Sequence, residues 1–176
     1  FYSQCLISEV RFVFDNTLKK SIETADVIIH LAAIVGFPAC DANPYEAQSI
    51  NINGTKDLCK LISKNQLLIF ASTGSAYGKI DGICTEETPI NPISLYGRSK
   101  AIGEEFVSSV YGVSLRLATL YGTSYKVRDD LLIHTLAKDA VKNGCLTVFQ
   151  GSAMRTFLDV NHAASVFVFA AFNGLD

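Results

Sequence analysis

The chain has 176 residues, of which 49% are hydrophobic and 18% are charged, a composition typical of a globular protein and not of a disordered or fibrous one. The formal net charge is −2, and Lys and Arg are scattered along the chain, which argues against a nucleic-acid partner. The longest strongly apolar stretch, residues 165–172, is too short to span a membrane.

The five cysteines are odd in number, widely spaced and include no CxxC pair. This pattern favours reduced thiols in a cytoplasmic protein over a disulfide framework or a zinc site. We therefore expect no bound metal.

Apolar runs predict the strands of the chain. Three continuous runs have the character of strands that are buried on both faces of a sheet: residues 27–31 (VIIHL), 67–71 (LLIFA) and 113–117 (VSLRL). Two shorter β-rich runs stand outside them, at residues 11–15 (RFVFD) and 146–149 (LTVF).

Helical patterns separate these runs. They predict a short helix or turn at 17–23, helices at 43–64, 94–111, 129–143 and from about 161 onward, and a loop at 79–93. Asn43 can cap the first long helix, with Pro44 in its first turn, and Ser94 can cap the second, with Gly112 as its stop. The third has acidic residues at its start and Gly144 after its end, as the helix dipole favours.

Buried strands that alternate with helices predict βαβ units. The expected fold is α/β: a parallel, doubly wound, Rossmann-like sheet with helices on both faces. Ligands of such sheets bind at the carboxyl ends of the strands. Functional residues are therefore expected just past each strand, at 30–35, 72–78 and 117–122.

Tyr96 and Lys100 stand four residues apart in a predicted helix, so both lie on one helix face. An ammonium close to a phenol favours the phenolate and would lower the pKa of the tyrosine. Such a tyrosine can exchange a proton with a substrate hydroxyl. On its own, however, this spacing more often marks an exposed Tyr–Lys pair on a helix surface.

Two segments at predicted strand ends add to this pair. Residues 72–78 (STGSAYG) follow a strand, so a hydroxyl there can hold a substrate oxygen against the tyrosine; the alternative is a simple Gly/Ser turn. Residues 26–33 (DVIIHLAA) end a strand in small side chains that let the backbone approach a ligand; the alternative is packing at the strand edge. His30 by itself is expected to be structural.

Six segments, taken in order, resemble the extended short-chain dehydrogenases/reductases, specifically the NAD-dependent epimerase/dehydratase family that modifies nucleotide sugars. The segments are DVIIHLAA (26–33), NINGT (51–55), STGSAYG (72–78), PISLYGRSK (92–100), LRLATLYG (115–122) and MRTFLDV (154–160). The resemblance runs from about Arg11 to the last helix, which is nearly the whole chain.

The resemblance implies a role for each matching position. Tyr96 would be the general acid/base, Lys100 would hold the nicotinamide ribose and lower the tyrosine pKa, and Thr73 would bond the reacting sugar oxygen. Asn51 would support the site through structure and water. The implied cofactor contacts are Asp15 (at the adenine), Leu31, Ala32, Ala33, Ser72, Tyr96 and Lys100. The implied substrate contacts are Thr73, Ser75, Thr119, where many relatives have asparagine, and Arg155, at the diphosphate.

The chain also departs from the family pattern. The glycine-rich GxxGxxG turn should precede Arg11, but residues 1–10 contain no glycine. The chain opens at Phe1 and stops just after a helical run, so we interpret it as an internal fragment that lacks the first βαβ unit. Residues 1–176 would then be a partial NAD-binding domain, with the beginning of a substrate-binding lobe at about 123–160. We expect the fragment itself to be inactive.

Three enzymatic functions and one non-catalytic role remain open. A nucleotide-sugar epimerase with NAD is favoured, since it needs only the Tyr, Lys and Thr set. A 4,6-dehydratase is disfavoured because Gly74 and Ser75 replace the Asp–Glu pair that follows the catalytic threonine in such relatives. A reductase or dehydrogenase would use the same residues with NAD or NADP. In another class, the chain would be a truncated, non-catalytic remnant that still forms a homodimer through helices 43–64 and 94–110.

Overall fold

A computed structural model describes residues 15–125, 128–149 and 151–174. The helices are α1 (Asn16–Thr24), α2 (Phe37–Ala42), α3 (Pro44–Ala47), α4 (Thr55–Leu61), α5 (Leu95–Val107), α6 (Leu132–Asn143) and α7 (Val160–Asn173). The strands are β1 (Val27–His30), β2 (Leu67–Thr73), β3 (Gly112–Leu117), β4 (Thr119–Tyr121) and β5 (Phe157–Asp159). A π-helical segment (Gln48–Gly54) joins α3 to α4, and a 3-10 turn (Gly74–Ala76) follows β2.

The main sheet is parallel and has the strand order β1-β2-β3. Val27 pairs with Leu67 at one ladder, and Leu68 pairs with Gly112 at the other. The predicted parallel α/β sheet is therefore confirmed. A second, two-stranded parallel sheet of β4 and β5 was not predicted, because each of its strands has only three residues.

Helices cover both faces of β2, as the doubly wound fold requires. On one face, two buried side chains of β2 pack against α1, α4 and α5 through Leu68, Phe70, Ile22, Leu58, Cys59 and Val107. On the other face, the alternate β2 residues Leu67 and Ile69 pack against Phe167 and Ala170 of α7. Successive strand residues point to opposite faces, so one continuous apolar run supplies both cores.

The prediction of strands buried on both faces is right for β2 and wrong for β1 and β3. In β1 only His30 is buried, and the Ile29 side chain is 43% exposed. Every residue of β3 is half-buried. In the described part of the chain, β1 and β3 are the two edges of the sheet, and an apolar run does not reveal whether its strand has one neighbour or two.

The helix capped by Ser94 ends earlier than predicted. Its start is confirmed, since Ser94 Oγ accepts a hydrogen bond from the Gly97 N–H at 3.0 Å. Its last helical residue is Val107, and Gly112 begins β3 instead of stopping the helix. A Cβ on Gly112 would lie 2.7 Å from Val107 Cγ1, so the glycine allows the strand to pass close to the helix end.

Two other predicted elements also differ, and one lies partly outside the described residues. The helix expected at 129–143 starts at Leu132, and Asp129 and Asp130 lie in the turn before it. No strand forms at 146–149, where the described residues are mostly exposed and have no strand partner. Residues 11–14 of the first β-rich run lie outside the described residues.

Candidate active site

The proposed catalytic tyrosine and threonine meet at the end of the central strand. Thr73 is the last residue of β2, and Tyr96 lies in the first turn of α5. The Thr73 side chain lies close enough to the Tyr96 phenol to lower its pKa. Thr73 Oγ1 accepts from the Ser75 N–H at 3.2 Å. The structure therefore brings the two residues together at the strand end where the sequence predicted them, and their catalytic roles stay predictions.

Lys100 lies one turn beyond Tyr96 on α5 and is 2% exposed. Its Nζ donates to the Ala71 carbonyl oxygen at 2.8 Å and lies 4.5 Å from the centroid of the Phe70 ring. Burial lowers the pKa of Lys100 to about 8. The ammonium thus fastens α5 to β2, close to the end of the strand.

The pKa of Tyr96 is raised above its ordinary value, and burial is the largest cause. The hydrogen bond with Thr73 and the positive charge of Arg128 act in the opposite direction. Lys100 was expected to lower this pKa, but in this structure its ammonium is directed at a backbone carbonyl. The i, i+4 spacing correctly predicted that Tyr96 and Lys100 share a helix face. The expectation that Lys100 lowers the Tyr96 pKa was wrong.

Asn51 is 1% exposed and lies within the π-helical segment, a kind of irregularity that is frequent at functional sites. Its Oδ1 accepts from the Ile34 N–H at 2.8 Å, and its Nδ2 donates to the Ile34 carbonyl at 3.0 Å and to Ser99 Oγ at 3.1 Å. Asn51 therefore ties the loop after β1 to helix α5. This agrees with the supporting role that was predicted for it.

His30, at the end of β1, is buried next to Thr55, one helical turn beyond Asn51. Thr55 Oγ1 donates to the Asn51 carbonyl at 2.8 Å, so the His30 Nε2–H donates to Thr55 Oγ1 at 2.9 Å. Burial, with a smaller contribution from the charge of Lys100, lowers the pKa of His30 to about 4. A neutral, hydrogen-bonded histidine fits the structural role expected for it.

The predicted cofactor-contact residues other than Tyr96 and Lys100 occupy three separate places. Leu31, Ala32 and Ala33 follow β1, and the Leu31 side chain is 59% exposed. Asp15 Oδ1 accepts from the Leu18 N–H at 2.8 Å and caps α1. The Ser72 hydroxyl donates to the Glu104 carboxylate. Asp15 and Ser72 therefore have structural partners in this chain, and their contacts with a cofactor stay predictions.

Three of the four predicted substrate-contact residues are exposed, and the fourth, Thr73, is buried. Ser75 lies in the 3-10 turn after Thr73, Thr119 begins β4, and Arg155 precedes β5. These three side chains are accessible, but the described residues hold none of them against Tyr96.

The sequence analysis missed two ion pairs near the site. Glu104, one turn beyond Lys100, forms an ion pair with Arg116 of β3 at 2.7 Å. Arg128 pairs with Asp130 at 2.5 Å, and its Nη2 lies 3.6 Å from the point that a Cβ on Gly36 would occupy. The helical spacing from Lys100 could have indicated Glu104, whereas no local pattern indicated Arg116 or Arg128.

Two features are absent from the described residues. No described helix is both long enough and apolar enough to cross a membrane. Within the same residues, no three His, Cys, Asp or Glu side chains are grouped as a metal ion would require.

Comparison with known proteins identifies the family of the chain. A model of the NAD dependent epimerase/dehydratase family matches residues 10–175. The uncharacterized UDP-glucose epimerase YtcB of Bacillus subtilis is 35% identical over 169 residues, covering 86% of this chain and 52% of the relative. A putative UDP-glucose 4-epimerase of Methanocaldococcus jannaschii is 30% identical over 158 residues, covering 83% of this chain and 52% of the relative.

A solved structure agrees with these relatives. The crystal structure of UDP-glucuronic acid 4-epimerase from Bacillus cereus, in complex with UDP-glucuronic acid and NAD, superposes with a TM-score of 0.78 at 30% sequence identity. The match covers 90% of this chain and 53% of the epimerase chain. The chain spans about half the length of the curated relatives it matches. Because the family model covers nearly all of it, the chain belongs to the NAD-dependent epimerase/dehydratase family.

Proposed function

We propose that this chain carries the catalytic residues of an NAD-dependent nucleotide-sugar epimerase. The observation that supports this most strongly is the proximity of Tyr96 to Thr73 at the carboxyl end of β2, with Lys100 one helical turn away. The named functions of the two bacterial and archaeal relatives, and the ligands of the Bacillus cereus structure, support the same reaction class.

Tyr96 would act as the general acid/base. Its Oη would take the proton from a sugar hydroxyl as that carbon is oxidised, and would return it when the carbon is reduced. Thr73 would hold the same sugar oxygen, and its hydrogen bond lowers the tyrosine pKa, which favours the proton acceptor form. Ser75, Thr119 and Arg155 would contact the rest of the nucleotide sugar, and their exposure leaves them available for it.

The residues around Tyr96 fit NAD. Ala32 and Ala33 present small side chains after β1, so a planar ligand can approach the backbone there, and Leu31 adds exposed apolar surface. Lys100 supplies an ammonium and Tyr96 a hydroxyl, the donor set that a ribose diol requires. When bound, NAD would accept a hydride from the sugar carbon and return it to the opposite face. Asp15 and Ser72 complete the proposed cofactor contacts.

A 4,6-dehydratase is disfavoured by the turn after Thr73. Gly74 and Ser75 fill that turn, and neither side chain is an acid that could protonate a leaving hydroxyl. Epimerisation needs no such acid, because the proton and the hydride are both returned to the sugar.

We also propose that the protein is a cytoplasmic homodimer. The contact surface would be the outer faces of the helical segments at 44–61 and of α5. The half-buried Ala101 and Ile102 of α5 border an open groove that also includes Ile90 and Pro92, so apolar surface is present on this face. The four described cysteines, Cys40, Cys59, Cys84 and Cys145, are free thiols, as a reducing compartment would keep them.

The experiment that tests the proposed reaction uses the full-length natural protein with UDP-glucose that carries deuterium at C4. An epimerase inverts C4 and keeps the deuterium at that carbon, which proton and deuterium NMR of the product detect. Transfer of the label to free NADH, or formation of a 4-keto-6-deoxy sugar, would instead identify a dehydrogenase or a dehydratase. The same assay with UDP-glucuronic acid tests the sugar acid.

A further inference from the structure

Three polar side chains join three elements beside the site. Glu104 of α5 accepts hydrogen bonds from Arg116 Nε, at 3.0 Å to each carboxylate oxygen, and from Arg116 Nη2 at 2.7 Å. Ser72 of β2 donates its hydroxyl to the same carboxylate. The Glu104 and Arg116 side chains are 10% and 21% exposed, so this ion pair is poorly screened by water. Its forked geometry fixes the guanidinium in one orientation.

The free end of that guanidinium reaches the turn that follows Thr73. Arg116 Nη1 donates to the Tyr77 hydroxyl at 3.0 Å, and the guanidinium carbon lies 4.9 Å from the centre of the Tyr77 ring. Tyr77 closes the turn, because its N–H donates to the Gly74 carbonyl at 3.2 Å. The next amide, that of Gly78, donates to the Ser75 carbonyl at 3.3 Å. One arginine therefore contacts both the helix of Tyr96 and the turn of Thr73.

A separate contact shows how closely this turn fits the catalytic helix. A Cβ on Gly97 would lie 2.7 Å from the Ser75 carbonyl oxygen and 3.1 Å from Pro92 Cβ. Gly97 directly follows Tyr96, so the turn presses on the helix backbone beside the catalytic phenol. A displacement of the turn would therefore act on the helix backbone next to Tyr96.

We propose that Arg116, held by Glu104, is a positioning residue that sets the Thr73–Tyr77 turn against Tyr96 through the Tyr77 hydroxyl. The ion pair fixes the guanidinium, the guanidinium fixes Tyr77, and Tyr77 fixes the turn that presents Thr73 and Ser75. The catalytic consequence rests on the proposed function, since it requires Thr73 and Tyr96 to bind the reacting sugar oxygen together.

The test compares Tyr77→Phe and Arg116→Lys with the unchanged full-length protein. Tyr77→Phe removes only the hydroxyl that accepts from Arg116 and keeps the ring, so the fold is expected to persist. Arg116→Lys keeps the charge that faces Glu104 but loses the fork that reaches Tyr77. Amide hydrogen exchange at positions 75, 77 and 78 reports on the turn, and kcat and KM report on its consequence. Lys19→Gln, at an exposed lysine of α1 that lies outside both this network and the proposed dimer surface, is the control.

Both variants are expected to exchange these three amides faster than the unchanged protein, with an unchanged melting temperature for Tyr77→Phe. In the active enzyme, kcat is expected to fall about ten-fold or more at a similar KM, as misplacement of a catalytic group predicts. Unchanged exchange at these amides in Tyr77→Phe would overturn the proposal whether or not the protein has turnover. An unchanged kcat in an active Tyr77→Phe enzyme would also overturn it. A full-length protein without turnover contradicts the proposed function alone, because the exchange measurement still decides the role of Arg116.

Discussion

The Lys100 ammonium donates a hydrogen bond to the carbonyl oxygen of Ala71, 2.8 Å away, and thereby fastens the helix of Tyr96 to the strand that ends in Thr73. Together with the Ser72–Glu104 hydrogen bond and the proximity of Tyr96 to Thr73, this contact joins α5 to the last residues of β2 at successive turns of the helix. The proposed catalytic geometry is thus built from one helix face and one strand end.

Gly97→Ala is expected to disturb the site without removing any functional group. The new methyl group would lie 2.7 Å from the Ser75 carbonyl oxygen, so either the turn or the helix has to move. Overpacking of this kind costs about 1–3 kcal/mol of stability, and turnover should fall with it. Thermal unfolding and steady-state kinetics measure the two effects. Gly151→Ala is the matched control, because a Cβ at Gly151 meets no atom within 4 Å.

Asn51→Asp should release the loop after β1. The aspartate can still accept from the Ile34 N–H, but it loses the amide donors to the Ile34 carbonyl and to Ser99 Oγ. The Ile34 carbonyl would then be a buried acceptor without its donor, next to a new negative charge. This should lower the free energy of unfolding by about 1–3 kcal/mol or more. Denaturant unfolding should show this loss, and hydrogen exchange of the Ile34 amide should accelerate.

The control for that change is Asn53→Asp, two residues along the same helical segment, where the side chain is exposed. The same charge change there is expected to alter stability by less than about 0.5 kcal/mol. Equal effects of the two substitutions would show that the Asn51 contacts do not hold the loop.

The buried His30 should lower the free energy of unfolding in acid. Its pKa is about 4 in the folded chain, well below the 6.5 of an unperturbed histidine, so the unfolded chain binds more protons between these two values. Stability is therefore highest above pH 6.5 and falls as the pH drops from about 6.5 to about 4. The shift corresponds to a loss of about 3 kcal/mol.

Urea unfolding at a series of pH values measures this loss, and His30→Gln should remove the component that belongs to the histidine. If the unchanged protein and His30→Gln lost stability in parallel over this pH range, the histidine would not be the group responsible.

Local patterns predicted the parts of the site that depend on one element. Thr73 ends an apolar run, and Tyr96 and Lys100 share a helix face by spacing alone, so their positions followed from the sequence. The orientation of the Lys100 side chain could not be predicted from the sequence, because its ammonium binds a carbonyl of β2, a different element. The hydrogen-bond network beside the site was missed for the same reason, since it joins β2, α5, β3 and the turn after β2. Its members are Ser72, Glu104, Arg116 and Tyr77.

The same distinction accounts for the errors in the fold. Residues 146–149 have a β-rich composition but form no strand, because a strand also needs a neighbour to pair with. Ile29 belongs to an apolar run and is still 43% exposed, since its strand lies at an edge of the described sheet. Propensity selects the type of element, while partners across the fold decide its limits and burial.

The most direct test of the proposed catalytic site is the turnover of Tyr96→Phe in the full-length protein with NAD bound. The account predicts that epimerisation falls by about 10²–10⁴-fold while NAD content stays the same, because the substitution removes only the group that transfers the proton. Tyr111→Phe, at a tyrosine that is 41% exposed just before β3, should turn over like the unchanged protein. Turnover by Tyr96→Phe at the unchanged rate would contradict the assignment of Tyr96 as the general acid/base.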